Sequence, residues 1–149
     1  MTMRKLLGHA PLLFLLAGLA GCASIEPYGN FLGANAPATL NEKLAADTVK
    51  QLTVLYPPAS TRFDLGQPTP DAYGSALVES LRIKGYAILE FEPDEAASAG
   101  KPNTAGPGLS LRYVLDAPAS TNLYRVTVMV GSQSLSRAYV AQNDTVAPA

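Results

Sequence analysis

Residues 109–141 read LSLRYVLDAPASTNLYRVTVMVGSQSLSRAYVA. Successive side chains of an extended chain point to opposite faces, so apolar residues recurring at every second position mark a half-buried strand. Leu109, Leu111, Tyr113 and Leu115 share one face of a first strand. Tyr124, Val126, Val128 and Val130 share one face of a second, and Leu135, Arg137, Tyr139 and Ala141 one face of a third. Asp116–Asn122 and Gly131-Ser132 supply the turns. Strands in sequence with short connections predict an antiparallel meander.

Upstream, residues 93–108 (PDEAASAGKPNTAGPG) are Pro-, Gly- and Ala-rich and read as a loop or hairpin excursion within one domain. Tyr86–Phe91 reads as a further strand with Ala87, Leu89 and Phe91 on one face. A helix precedes it: Thr69 as N-cap, Pro70 at the first helical position, Asp71 at the positive end of the dipole, and Tyr73, Ala76, Leu77 and Leu81 as the apolar face. Arg82 and Lys84 suit its last turn, and Gly85 its C-terminal cap. Thr61–Leu65 alternates with Phe63 and Leu65 inward. Before it, Thr39-Leu40-Asn41-Glu42 fits a capping box, with Thr39 as N-cap. Leu40, Leu44, Thr48, Leu52 and Leu55 then give one buried stripe, and Pro57-Pro58 ends that helix. The sum is an α+β domain over residues 39–141, two helices packed on one mostly antiparallel sheet, with a tail over 142–149 that carries no element signal.

The N-terminus reads differently. Arg4 and Lys5 precede an apolar stretch, Leu12–Ala20, too short to span a bilayer and suited to a secretory signal. It ends in Leu19-Ala20-Gly21-Cys22, the bacterial lipobox. The expectation is cleavage between Gly21 and Cys22, removing residues 1–21, with diacylglycerol on the Cys22 thiol and a further acyl chain on its freed amine. That covalent lipid is the only cofactor-like group expected. Cys22 is the only cysteine, so no internal disulfide can form. One acyl chain holds a protein reversibly, whereas two or three on one residue hold it durably. Ala23, rather than Asp, follows the cysteine, which directs a Gram-negative lipoprotein to the inner leaflet of the outer membrane. The domain then faces the periplasm.

Residues 22–38 form the lipidated terminus and an extended arm, punctuated by Pro27, Gly29, Gly33 and Pro37. Tyr28, Phe31 and Leu32 are more than a spacer needs. They pack on their own domain as a short strand, or they bind a partner, since exposed apolar clusters mark interfaces. Removing Arg4 and Lys5 leaves 9 of 11 basic residues against 12 acidic ones, a net charge of −3. That balance gives no reason to expect nucleic-acid binding and disfavours attachment to anionic lipid by charge alone.

The sole histidine, His9, leaves with the signal. Without histidine or a spare thiol the mature chain can build neither a Ser-His-Asp nor a Cys-His centre, nor a Cys/His zinc site. No catalytic residue is expected, and no metal site. Glu90, Glu92, Asp94 and Glu95 gather near one loop; they suit calcium or acid/base work, or simply a solvated strand end. Gly100-Lys101 fails as a phosphate loop, because Pro102 follows the lysine and Glu95 stands where the first glycine belongs. Asn143-Asp144-Thr145 has the form of a glycosylation sequon, without weight in a bacterial lipoprotein. Two classes remain: a structural subunit of an envelope assembly, or a periplasmic accessory that binds peptidoglycan or regulates an envelope enzyme.

The chain resembles the TrbH family of conjugal transfer lipoproteins. Tyr28-Gly29-Asn30-Phe31, Leu40–Val54 continuing into Tyr56-Pro57-Pro58, Phe63-Asp64-Leu65, Ala76–Leu89 and Ser136-Arg137-Ala138-Tyr139-Val140 carry the resemblance. It implies an outer-membrane subunit of a type IV secretion core complex, placed with larger ring-forming subunits in a symmetric hetero-oligomer. It also implies partner binding through the segment after the lipidated cysteine, here Pro27–Leu32. Short relatives hold the partner with a peptide alone; this chain adds a globular domain, suited to an outer ring layer.

Overall fold

The computed structural model describes residues 28–32, 36–93, 107–118, 121–142 and 145–149. The signal, Cys22, Ala23, Asp94, Glu95, the Gly100-Lys101 pair and Asn143-Asp144 lie outside these residues. The elements run β1 (Gly29–Asn30), α1 (Ala38–Leu55), a 3-10 turn (Pro58–Ser60), β2 (Arg62–Leu65), α2 (Ala72–Ile83), β3 (Ala87–Leu89), β4 (Leu109–Asp116), β5 (Leu123–Val130), β6 (Gln133–Gln142) and β7 (Thr145–Pro148). The domain is α+β, with a mostly antiparallel sheet ordered β3-β2-β4-β5-β6-β7.

The meander forms as its alternation predicts. Leu111, Tyr113 and Leu115 lie opposite Val130, Val128 and Val126, and all six are buried. Gly131, at φ 57°, turns the chain into β6 through the left-handed region that glycine adopts without strain. β7 extends the antiparallel half beside β6, and the remaining pairings are parallel: β2 with β3 and with β4, and β1 with β4. Such pairs need a crossover, and α2 supplies it between β2 and β3.

β4 is shared in an unusual way. Its pairing with β5 takes one edge from Leu111 to Asp116. The other edge is divided end to end: β2 lies beside Leu109–Leu111 and β1 beside Val114–Leu115.

Both helices contribute to one buried layer with the sheet. Leu40, Leu44, Ala45, Val49 and Leu52 of α1 and Tyr73, Leu77, Val78 and Leu81 of α2 join the core with Phe63, Leu65 and the inward residues of the meander. Phe63 sits between Tyr56 (6.1 Å, edge-on) and Tyr86 (5.0 Å), contacts worth about 0.5–1.5 kcal/mol each beyond area burial. The opposite sheet face carries Arg62, Asp64, Arg112, Val114, Asp116, Arg125, Thr127, Met129, Ser134, Ser136 and Ala138 by register.

Several expectations need correction. Thr39 is not the N-cap of α1. The helix opens at Ala38, Pro37 is the cap, and no side chain caps it. An N-cap needs extended backbone, which Pro37 has and the helical Thr39 lacks. Thr69 likewise yields to Asp71, whose Oδ1 accepts the Gly74 N–H at 2.9 Å. Leu55 is 51 % exposed rather than inward, because the last turn of α1 stands off β5 and β6. On β3, Ala87 and Leu89 face outward and Ile88 packs on the core, since the parallel register sets Ile88 beside the buried Phe63. The tail is also structured: β7 pairs antiparallel with β6, and Val146 packs on the core.

Candidate interaction site

The arm crosses the sheet. Tyr28 lies under the Arg112 guanidinium, 5.0 Å from ring centroid to Cζ, and Arg112 belongs to the face away from the helices. β1 then runs along the upper half of the β4 edge, where the Phe31 N–H donates to the Leu115 carbonyl at 2.7 Å. Leu32 and Ala36 pack against the core on the helix side before α1 begins. Asn30 ties the arm to that helix: its Nδ2 donates to Asn41 Oδ1 at 3.2 Å, while Asn41 Nδ2 donates to the Pro37 carbonyl at 3.3 Å. Asn41 is 2 % exposed, so these bonds satisfy a side chain that would otherwise be costly to bury.

A side chain closes the seam between the two strands that share the β4 edge. Lower down, the Gly66 N–H donates to Leu111 O at 2.9 Å. Above, Leu115 O accepts from Phe31. Between them the Tyr113 N–H has no strand partner on this edge and donates to Gln67 Oε1 at 2.8 Å. Gln67 is buried, and its Nε2 has no hydrogen-bond partner. Gln67 and β2 thus occupy the β4 edge below β1.

Of the expected partner-binding residues, Tyr28 and Leu32 are half-buried on their own domain, and Phe31 is 54 % exposed. The short-strand reading of the arm therefore holds for β1, with Phe31 left on the surface.

A second apolar feature was not legible in sequence. A groove of about 270 Å³ lies beside the end of α1, with Leu52, Val54, Leu55, Val126, Val128 and Leu135 on its walls. Val54 is 77 % exposed at its mouth. Just past the end of α1, the Tyr56 hydroxyl donates to Gln133 Oε1 at 2.7 Å. Arg137, on the groove wall, pairs with Asp47 at 3.6 Å.

The titratable side chains inside the domain serve structure. Tyr139 donates to Asp47 Oδ2 at 2.7 Å, Tyr113 to Asp71 Oδ2, and Tyr73 shares a hydrogen bond of 3.0 Å with Thr48. Burial pushes all three phenols above their ordinary range; next in weight, the bonds to Asp71 and Asp47 raise Tyr113 and Tyr139 further, whereas the Thr48 bond offsets part of the rise at Tyr73. They stay protonated donors. In the acidic run, Glu90 pairs with Arg82 and Glu92 is exposed. Among the described residues no group of three or more His, Cys, Asp or Glu converges to hold a metal ion, and no helix is long and apolar enough to cross a membrane.

These features define a small α+β domain with an edge-docked N-terminal arm and apolar surface at the arm and groove. The chain belongs to the TrbH family: the family model described as conjugal transfer protein TrbH matches residues 25–149. The protein is thus a conjugal transfer protein, expected to work with other components of the transfer system. Neither the curated proteins nor the solved structures include a significant match to it.

Proposed function

We propose that this protein is an outer-membrane lipoprotein that anchors the core complex of a conjugative type IV secretion system. Family membership carries the reading, because the matched region begins three residues after the lipobox cysteine. Acyl chains on Cys22 hold the protein in the inner leaflet of the outer membrane, with its domain in the periplasm. The arm and its exposed Phe31 engage a ring-forming subunit by apolar contact, with strand addition as a further means. The work is mechanical and needs no catalytic residue and no cofactor beyond the lipid.

The test is purification in detergent after expression with the full transfer system. The native protein should bring down core-complex subunits and fractionate with the outer membrane. Cys22→Ser should lose both the lipid mass and the membrane fractionation. Phe31→Ala should reduce co-purification while the domain stays folded by circular dichroism. Recovery of only a cell-wall enzyme or peptidoglycan would overturn the reading, as would a fully functional, membrane-bound Cys22→Ser protein.

A further inference from the structure

The point at which the arm leaves the domain decides which way the domain faces. Between Cys22 and Tyr28 lie only residues 23–27, so the two ends can separate by at most about 20 Å. A domain of roughly 100 residues has a diameter of about 30 Å. The tether is thus shorter than the body it holds, and the side from which it departs must stay near the lipid. Tyr28, where the tether joins the described domain, lies on the sheet face opposite the helices. Gln67 and β2 occupy the β4 edge below Tyr28, and the Tyr28 ring lies against Arg112 on that face.

The charges agree in sign. Arg62 and Asp64 pair at 2.8 Å, and Arg125 and Asp116 at 2.6 Å, so both carboxylates on this face are neutralised. Arg112 has no carboxylate partner among the described residues; its Nε donates to the Gly66 carbonyl at 3.2 Å. One uncompensated guanidinium therefore stands beside the tether, with half-buried Val114, Thr127 and Met129 and exposed Ser134, Ser136 and Ala138 around it. The helix layer lies on the other side of the sheet, farther away by at least one helix diameter, roughly 10–12 Å.

We infer that the bare face of the β4–β5–β6 meander is the membrane-facing surface, apposed to phospholipid headgroups, and that α1, α2 and the apolar groove face away from the bilayer. The inference rests on lipid attachment at Cys22. It leaves the groove open to soluble partners, whereas the bare sheet face is shielded.

The experiment uses the full lipidated protein in phosphatidylethanolamine–phosphatidylglycerol vesicles that carry a headgroup-linked acceptor dye. Donor dyes go on Ser134→Cys, on the sheet face, and on Lys50→Cys, exposed on α1. Energy transfer should be several-fold greater from position 134 than from position 50. A Gly/Ser insertion of about ten residues after Ser24 should shrink that difference. Lipidated, vesicle-bound protein with equal or reversed transfer would overturn the orientation alone, as would a difference untouched by the insertion. Protein that carries no lipid by mass and fails to float with the vesicles would overturn the anchor, and the orientation with it.

Discussion

Gly74 shows how one residue is chosen by a distant one. It lies in the first turn of α2, where a Cβ would collide with the Tyr113 hydroxyl and meet Thr69 Cβ at 3.0 Å. Alanine in a helix normally gains about 1 kcal/mol over glycine. Here the collision costs about 1–3 kcal/mol and should outweigh that gain. Gly74→Ala should therefore lower the urea midpoint without changing the slope. In a Tyr113→Phe background the obstructing oxygen is gone and only the Thr69 contact remains, so the same change should cost clearly less, a coupling that a double-mutant cycle reads directly. Residues of this kind were illegible in sequence. Gln67 and Asn41 are buried polar side chains whose partners, Tyr113 and Asn30, become neighbours only when the sheet is assembled. The apolar character of the arm, Phe31 included, was legible because it rests on local composition.

At the scale of elements, hydrophobic period decided type, and tertiary contacts decided ends. The alternation of Leu111, Tyr113 and Leu115 and of Val126, Val128 and Val130 gave strands with the correct inward face. The helix starts moved. Asp71 caps α2 because one carboxylate can accept both the Gly74 N–H and the Tyr113 hydroxyl. Asp71→Ala should therefore cost about 1–2 kcal/mol, near the upper end for a cap. Thr39→Ala should change stability by less than about 0.5 kcal/mol, as for an ordinary surface site. Thermal or urea denaturation of the two variants separates them; comparable losses would restore Thr39 as a cap. Which face of β3 points inward was undecided in sequence for a similar reason. Its three residues are too few for alternation to fix a phase, and the register with β2 does so instead. β7 escaped notice because Thr145–Pro148 is short and ends in proline; only its pairing with β6 makes it a strand.

Across the whole molecule, the buried phenols link stability to pH. Tyr73, Tyr113 and Tyr139 are held above the ordinary value of 10, first by burial. In the unfolded chain they ionise near that value, so above it the unfolded state gives up protons that the folded state keeps. Their contribution is complete below about pH 10 and declines as the pH rises beyond it. The urea midpoint should hold steady to about pH 9 and then fall, and Tyr73→Phe should make that fall shallower. A midpoint rising through that range would contradict the burial of these rings. The parallel half of the sheet was the largest topological feature hidden from sequence reading. A strand pattern reports which residues face inward, but it does not report which strand lies alongside.

The divided edge of β4 also sets an order of assembly. Gly29 pairs with Val114, and Phe63 with Leu109. Neither the arm nor β2 can complete its ladder until β4 is present, and β4 follows both helices in the chain. A chain delivered across a membrane N-terminus first would thus present Tyr28–Leu32 unpaired throughout most of its passage. An enzyme that modifies a residue just upstream would meet an open, extended substrate. The strand that later closes that segment against the domain arrives only after both helices have emerged.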